Sequence, residues 1–191
     1  MVGSLSITLG PMFSGKTSKL IKEYNQYKET NNAVAINYAE DTRYHETMLS
    51  SHDLLMIPCV MVKKLDSVWD NNTHENYTEL RQATHIFINE AQFFDDLYDT
   101  AIDMLKNGKN VYLYGLDGDY KAQKFGQILD LIPHSDNIEK LKANCELCIL
   151  EDQSRGKAIY THRVTTETEQ VVIGSSNYMP LCRSCYYKKN E

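Results

Sequence analysis

No block of like charge longer than a pair such as Lys188-Lys189 occurs anywhere in the 191 residues. With 20 Lys and Arg against 26 Asp and Glu, and a formal net charge of −6, the chain lacks the basic stripe of a nucleic-acid footprint. Any anion is expected to be bound locally. Long apolar runs are missing too, since none approaches the roughly 18 to 20 residues needed to cross a bilayer. No basic segment followed by an apolar one opens the chain. The expectation is therefore a protein without a membrane span or export signal, working in reducing cytoplasm. Internal repeats and low-complexity tracts are also absent. The remaining composition, 42% hydrophobic and 24% charged, is that of a globular protein able to bury a core. One main domain, 1–143, and a small appendage, 144–191, fit the chain best.

The most informative run is Gly10-Pro11-Met12-Phe13-Ser14-Gly15-Lys16-Thr17, a G-x-x-x-x-G-K-T phosphate loop. It follows the apolar run Leu5-Ser6-Ile7-Thr8-Leu9 and precedes a helix predicted over 17–30, so strand, loop and helix come in the required order. Glycines let the backbone curl around an anion with its N–H groups inward. Lys16 supplies a point charge for the β/γ-phosphates, and Thr17 offers a hydroxyl to Mg²⁺. A nucleoside triphosphate is the implied ligand.

Apolar runs at Ile7, Ala33-Val34-Ala35-Ile36, Ile86-Phe87-Ile88 and Val111-Tyr112-Leu113-Tyr114 alternate with helical segments. This predicts a mostly parallel sheet flanked by helices, an α/β fold of the P-loop NTPase kind. A helix is expected over 95–107, with Leu97, Ala101 and Leu105 on one face and Gly108 just past its end. A shorter one is expected over 125–132, stopping before Pro133. The polar stretches 41–53 and 70–76 read as loops, the first as a flap. Cys59, in the apolar run 54–62, reads as a buried core thiol.

Beyond residue 144 two cysteine pairs flank a polar, hairpin-like stretch. Cys145-x-x-Cys148 and Cys182-x-x-Cys185 have the spacing of a Cys₄ zinc cage. Such a closed site leaves no open coordination position, so the metal is structural and catalysis must lie elsewhere. The strand Ile86-Phe87-Ile88 ends in Asn89-Glu90, and topology is expected to put this end beside the phosphate loop. Glu90 is the candidate base for an attacking hydroxyl. Asp41-Thr42-Arg43 supplies an acid and a fixed cation suited to a phosphoryl group, although an exposed ion pair accounts for the same residues taken alone. The loop 115–120 and the aromatics Phe93, Phe125 and Tyr178 could form a slot for a base, or simply core.

Assembled, these residues resemble the type II thymidine kinases, the cellular and poxvirus-like family. Gly-Pro-Met-Phe-Ser-Gly-Lys-Thr, Asp-Thr-Arg-Tyr, Glu-Ala-Gln-Phe-Phe, Leu-Asp-Gly-x-Tyr, the paired CxxC and Val-Ile-Gly…Tyr occur in family order over 4–187. The resemblance implies transfer of the γ-phosphoryl of ATP to the 5′-hydroxyl of thymidine or deoxyuridine, a step of pyrimidine deoxynucleotide salvage. Glu90, Lys16 and Arg43 would be catalytic. Gly10 through Thr17, with Asp41, Asn89 and Gln92, would hold the nucleotide and Mg²⁺. Met12, Phe93, Leu116, Tyr120 and Phe125 would enclose the pyrimidine. The small lobe would carry a lasso loop over 160–178, binding the base through Thr161, Val172, Gly174 and Tyr178. The family also implies a homotetramer and feedback by thymidine triphosphate.

Three departures stand out. Asn89 replaces the usual Asp, the segment between Gly174 and Tyr178 is one residue short, and 149–157 is longer than in close relatives. Tyr120 stands where the family usually has Phe. Two rival readings remain at this point: a zinc-ribbon module that binds nucleic acid with ATP as a switch, and a kinase-derived protein impaired by Asn89.

Overall fold

The computed structural model describes residues 2–28, 32–41, 48–51, 53–150, 156–172 and 174–190. Arg43 and most of the expected flap lie outside these residues, as do Ile173 and the stretch 151–155.

The chain runs β1 (Leu5–Leu9), α1 (Lys16–Lys28), β2 (Ala33–Tyr38), β3 (Met48–Ser50), β4 (Met56–Pro58), β5 (Val60–Val62), α2 (Asp66–Trp69), α3 (Tyr77–Gln82), β6 (His85–Ile88), α4 (Leu97–Lys106), β7 (Asn110–Gly115) and β8 (Asn137–Lys140). The C-terminal part adds β9 (Ala143–Asn144), α5 (Glu146–Leu150), β10 (Lys157–Ala158), β11 (Tyr160–Arg163), β12 (Tyr178–Leu181) and α6 (Arg183–Asn190). Six strands form one parallel sheet in the order β5-β2-β6-β7-β1-β8.

The two-residue period of a strand explains how both faces are covered. Leu5, Ile7 and Leu9 share one face with Val34, Ile36, Ile86, Ile88, Val111 and Leu113, and pack on Leu97, Ala101 and Met104 of α4. Ala35, Phe87 and Tyr114 point the other way, onto Leu20, Ile21 and Tyr24 of α1. Because every crossover returns the chain to the same end of the sheet, the loops after β1, β2, β6 and β7 all emerge at the carboxyl edge. There the candidate site is built.

β7 lies between β1 and β6, and Glu90 still lines the same cleft as the phosphate loop. Three details differ from the sequence reading. The expected helix over 125–132 is a 3-10 helix, Ile128–His134, with Pro133 inside it. Gly126 in the left-handed region (φ +59°) bars a regular helix from starting earlier. α2 and α3 were not foreseen on either side of the 70–76 connection, being only 4 and 6 residues long. Finally, Cys59 is half-buried against the Leu20 cluster rather than fully enclosed. Burial still pushes its thiol up to about 11, well out of the reactive range.

Candidate active site

A cleft of about 1020 Å³, open at its mouth, runs across the carboxyl edge of the sheet. The phosphate loop forms its floor. β1 ends at Leu9 and α1 begins at Lys16, so the intervening turn points its backbone and the first turn of α1 into the cleft. Lys16 Nζ donates to the carbonyl oxygens of Gly10 (2.9 Å) and Pro11 (2.8 Å). Ser14 Oγ, in the same loop, is buried and without a hydrogen-bond partner among the described residues.

Opposite stands Glu90. β6 ends at Ile88, and Glu90 adopts φ 50°, ψ 40° to open the 3-10 turn Ala91–Phe93. A non-glycine residue in this region costs about 1–3 kcal/mol, so its surroundings must hold it there. Gln92 does so. This side chain, 2% exposed, donates from Nε2 to Glu90 Oε2 (2.6 Å) and accepts the Leu116 N–H at Oε1 (3.0 Å). A Cβ on residue 126 would sit 2.1 Å from the Gln92 carbonyl oxygen, so only glycine lets this brace form. Gln92, read from the sequence as a nucleotide ligand, is not among the residues that line the cleft.

Asn89 is also withdrawn. It is buried, and its Nδ2 donates to Asn37 Oδ1 at 2.9 Å, while Asn37 Nδ2 reaches toward the Asp41 carbonyl oxygen at 3.5 Å. The amide pair therefore ties the end of β6 to the turn bearing Asp41, which does line the cleft.

At the other end an apolar slot is walled by Phe93, Leu116, Tyr120 and Phe125. Phe93 and Phe125 meet edge to face, with ring centres 5.4 Å apart, and Tyr38 backs Phe93 at 5.1 Å. The third wall comes from the C-terminal part, where Thr161, Val172, Gly174 and Tyr178 face inward. The Met12 N–H donates to Thr161 Oγ1 (3.0 Å), so β11 is fastened directly to the phosphate loop. The pairing of β11 with β12 is the antiparallel hairpin expected from the sequence.

Of the nucleoside-facing residues named from the sequence, all nine line this cleft: Met12, Phe93, Leu116, Tyr120, Phe125, Thr161, Val172, Gly174 and Tyr178. Phe13, Ser14, Gly15, Lys16, Thr17, Asp41 and Glu90 join them. Gly10, Pro11, Asn89 and Gln92 lie behind the lining, and Arg43 is outside the described residues. Sequence reasoning did not single out Ser18, Gly118, Asp119, Gln170 or Val171, which also line the cleft. A signal existed for Asp119, whose Oδ1 accepts the N–H groups of Lys121 and Gln123 in an Asx-type turn after Gly118. None existed for Gln170, which donates to Asp119 Oδ2 at 2.8 Å.

Away from the cleft, Cys145, Cys148, Cys182 and Cys185 bring their sulfurs within 4.8 Å of one another. Cys148 Sγ lies 3.8 Å from Cys182 Sγ and 3.7 Å from Cys185 Sγ. A tetrahedron with metal–sulfur bonds of about 2.3 Å has edges of about 3.8 Å, so the donor set fits a tetrahedral, thiophilic ion. Each pair sits at the start of a short helix, α5 or α6. Burial disfavours the Cys145 thiolate, but N–H donors of Cys182 and Cys148 together with neighbouring thiols outweigh it and bring that group down to about 7.

No helix among the described residues is long and apolar enough to cross a membrane. Comparison with known proteins gives a consistent result. A family model described as thymidine kinase matches residues 3–186. A thymidine kinase of Oryza sativa subsp. japonica is 39% identical over 188 residues, which cover 96% of this chain and 66% of that protein. The thymidine kinase of Yaba monkey tumor virus is 34% identical over 99% of this chain and 97% of its own length, and the cytosolic thymidine kinase of Gallus gallus is 34% identical over 98% and 78%.

Proposed function

The chain belongs to the thymidine kinase family, and from that premise we propose that it moves the γ-phosphoryl group of ATP to the 5′-hydroxyl of thymidine, with deoxyuridine as a second acceptor. The observation that carries this reading is the sharing of one cleft by a phosphate loop, a braced carboxylate and an aromatic slot. ATP would lie with its phosphates on residues 10–17, against Lys16 and the start of α1. The nucleoside would lie between Phe93, Phe125 and Tyr120, its 5′-hydroxyl toward Glu90. Glu90 would accept the hydroxyl proton as oxygen attacks phosphorus, and Gln92 would keep the carboxylate aimed at it. Lys16 would offset the charge that spreads over the phosphoryl oxygens. Main-chain groups near Val172 and Gly174 would select thymine or uracil, because a wrong ring edge leaves buried polar groups unpaired.

Thr17 and Asp41 offer the hard oxygen donors that suit Mg²⁺, which when bound would neutralise the phosphates. The four cysteines would hold structural zinc, and a thiolate cage of this kind suits the reducing cytoplasm. The decisive assay supplies Mg²⁺-ATP to purified protein with thymidine, deoxyuridine, deoxycytidine or deoxyadenosine. Monophosphate is expected from the first two only. Product from none, with ATP still bound, would overturn the reading in favour of an impaired descendant.

Asn89 bears on that rival. An aspartate there would restore a charge near Asp41 while Asn37 could turn its amide to donate. Asn89→Asp is therefore expected to lower the free Mg²⁺ needed for half-maximal rate by about tenfold, the lower end of outer-sphere effects. An unchanged Mg²⁺ titration would mean that Asp41 and Thr17 meet the metal's needs alone.

A further inference from the structure

Arg163 is the last residue of β11, is 5% exposed, and belongs to no motif recognised in the sequence. Its guanidinium is nearly saturated. Nη1 donates to the carbonyl oxygens of Glu167 (3.0 Å) and Glu169 (2.5 Å), and Nη2 to the carbonyl oxygen of Gln170 (3.2 Å) and the hydroxyl of Tyr178 (2.7 Å). The Tyr178 hydroxyl donates onward to the Val172 carbonyl oxygen at 2.8 Å. The guanidinium carbon also lies over the ring of Tyr120, 3.8 Å from its centre, and the Tyr120 hydroxyl donates to the Thr168 carbonyl oxygen at 2.8 Å. The carbonyls of residues 167, 168, 169, 170 and 172 therefore all turn onto Arg163 or onto two tyrosines packed against it.

The described part of the segment between β11 and β12 has no helix or strand of its own to fix its path. We propose that Arg163 is the positioning residue of this segment: the loop is wound around the guanidinium, which thereby presses Val171, Val172 and Tyr178 against Tyr120 and closes the nucleoside end of the cleft. Only a planar fork of donors can serve carbonyls that arrive from several directions in one layer, whereas a lysine ammonium has three donors on one atom. Removing the fork leaves buried carbonyls unpaired, and the loop is released to solvate them. Tyr120 contributes a hydroxyl latch to Thr168 that phenylalanine would not supply. The consequence for catalysis rests on the cleft being the thymidine site; the winding of the loop does not.

The test compares wild type, Arg163→Met and Arg163→Lys as full-length, zinc-loaded proteins. KM for thymidine is expected to rise about 10- to 100-fold in Arg163→Met, the scale of losing hydrogen bonds to a charged group, and less in Arg163→Lys. KM for ATP, zinc content and kcat at saturating thymidine should stay within about threefold of wild type. Independently of activity, a Glu-specific protease should cut after Glu167 and Glu169 about tenfold faster in either variant, since those carbonyls are the ones Arg163 holds. Unchanged cleavage and unchanged thymidine KM would overturn the proposal. So would a joint loss of zinc, ATP affinity and thermal stability in Arg163→Lys, which would make the residue a general scaffold. If wild type does not phosphorylate thymidine, the functional reading fails, and the protease comparison still decides whether Arg163 holds the loop.

Discussion

Replacing Glu90 with glutamine is expected to lower kcat by about a hundredfold or more, the scale of removing a general base, with ATP affinity and thermal unfolding close to wild type. The substitution keeps the shape of the side chain, and its amide oxygen can still accept from Gln92 Nε2, so the left-handed turn at residue 90 should survive. What disappears is the capacity to take a proton. Steady-state kinetics with thymidine and Mg²⁺-ATP checks the first point, and nucleotide binding with a melting curve checks the second. Near-normal turnover of the variant would remove Glu90 from the mechanism. A loss confined to KM would make it a binding group instead.

Breaking the cysteine cage should be still more severe. Among the described residues, the C-terminal part buries just Ala143, Cys145, Cys148, Ala158, Leu181 and Tyr186 as a hydrophobic core of its own, which is far too little to fix a fold. Structural zinc in comparable small units is worth about 10–16 kcal/mol of folding free energy. Cys182→Ser, or exhaustive chelation, is thus expected to unfold the lobe and abolish thymidine phosphorylation. ATP should still bind the phosphate loop, whose strand is paired on both sides within the main sheet. Metal analysis, far-ultraviolet circular dichroism and ATP binding on one sample would check all three points. Full activity in a metal-free protein would refute a structural ion.

These outcomes rest on features of unequal visibility in the sequence. Strands buried on both faces and the phosphate loop were plain, because a parallel sheet demands continuous apolar runs and an anion cradle demands glycine and lysine at fixed spacing. The cysteine pairs were equally legible. β8 was not, since three of its four residues are polar, all four are exposed at the sheet edge and they carry no burial pattern. The order of the strands was not legible for a related reason: which crossover lands where depends on how helices share the two faces, and no residue type encodes it. Within the cleft, most lining residues could be named from motif and family. Those that act through others could not. Gln92 works through a side-chain bond to Glu90 and the N–H of Leu116, and Arg163 through carbonyl oxygens of a loop without helix or strand, none of which a spacing rule captures, and Asn89 turned out to face Asn37 across the sheet.

The place of β1 in the sheet bears on how the molecule is made. Leu5 pairs with Val111 on one side and Ser6 with Asn137 on the other. The first strand of the main sheet is therefore held by its last two, and the frame of the phosphate loop that follows it is complete only once the chain has been made to about residue 140. β2, β5 and β6 can meet earlier, forming a half-sheet with an open edge. Closure of such distant pairs is slow compared with local structure, which leaves the nascent apolar N-terminal segment reliant on protection in the interval.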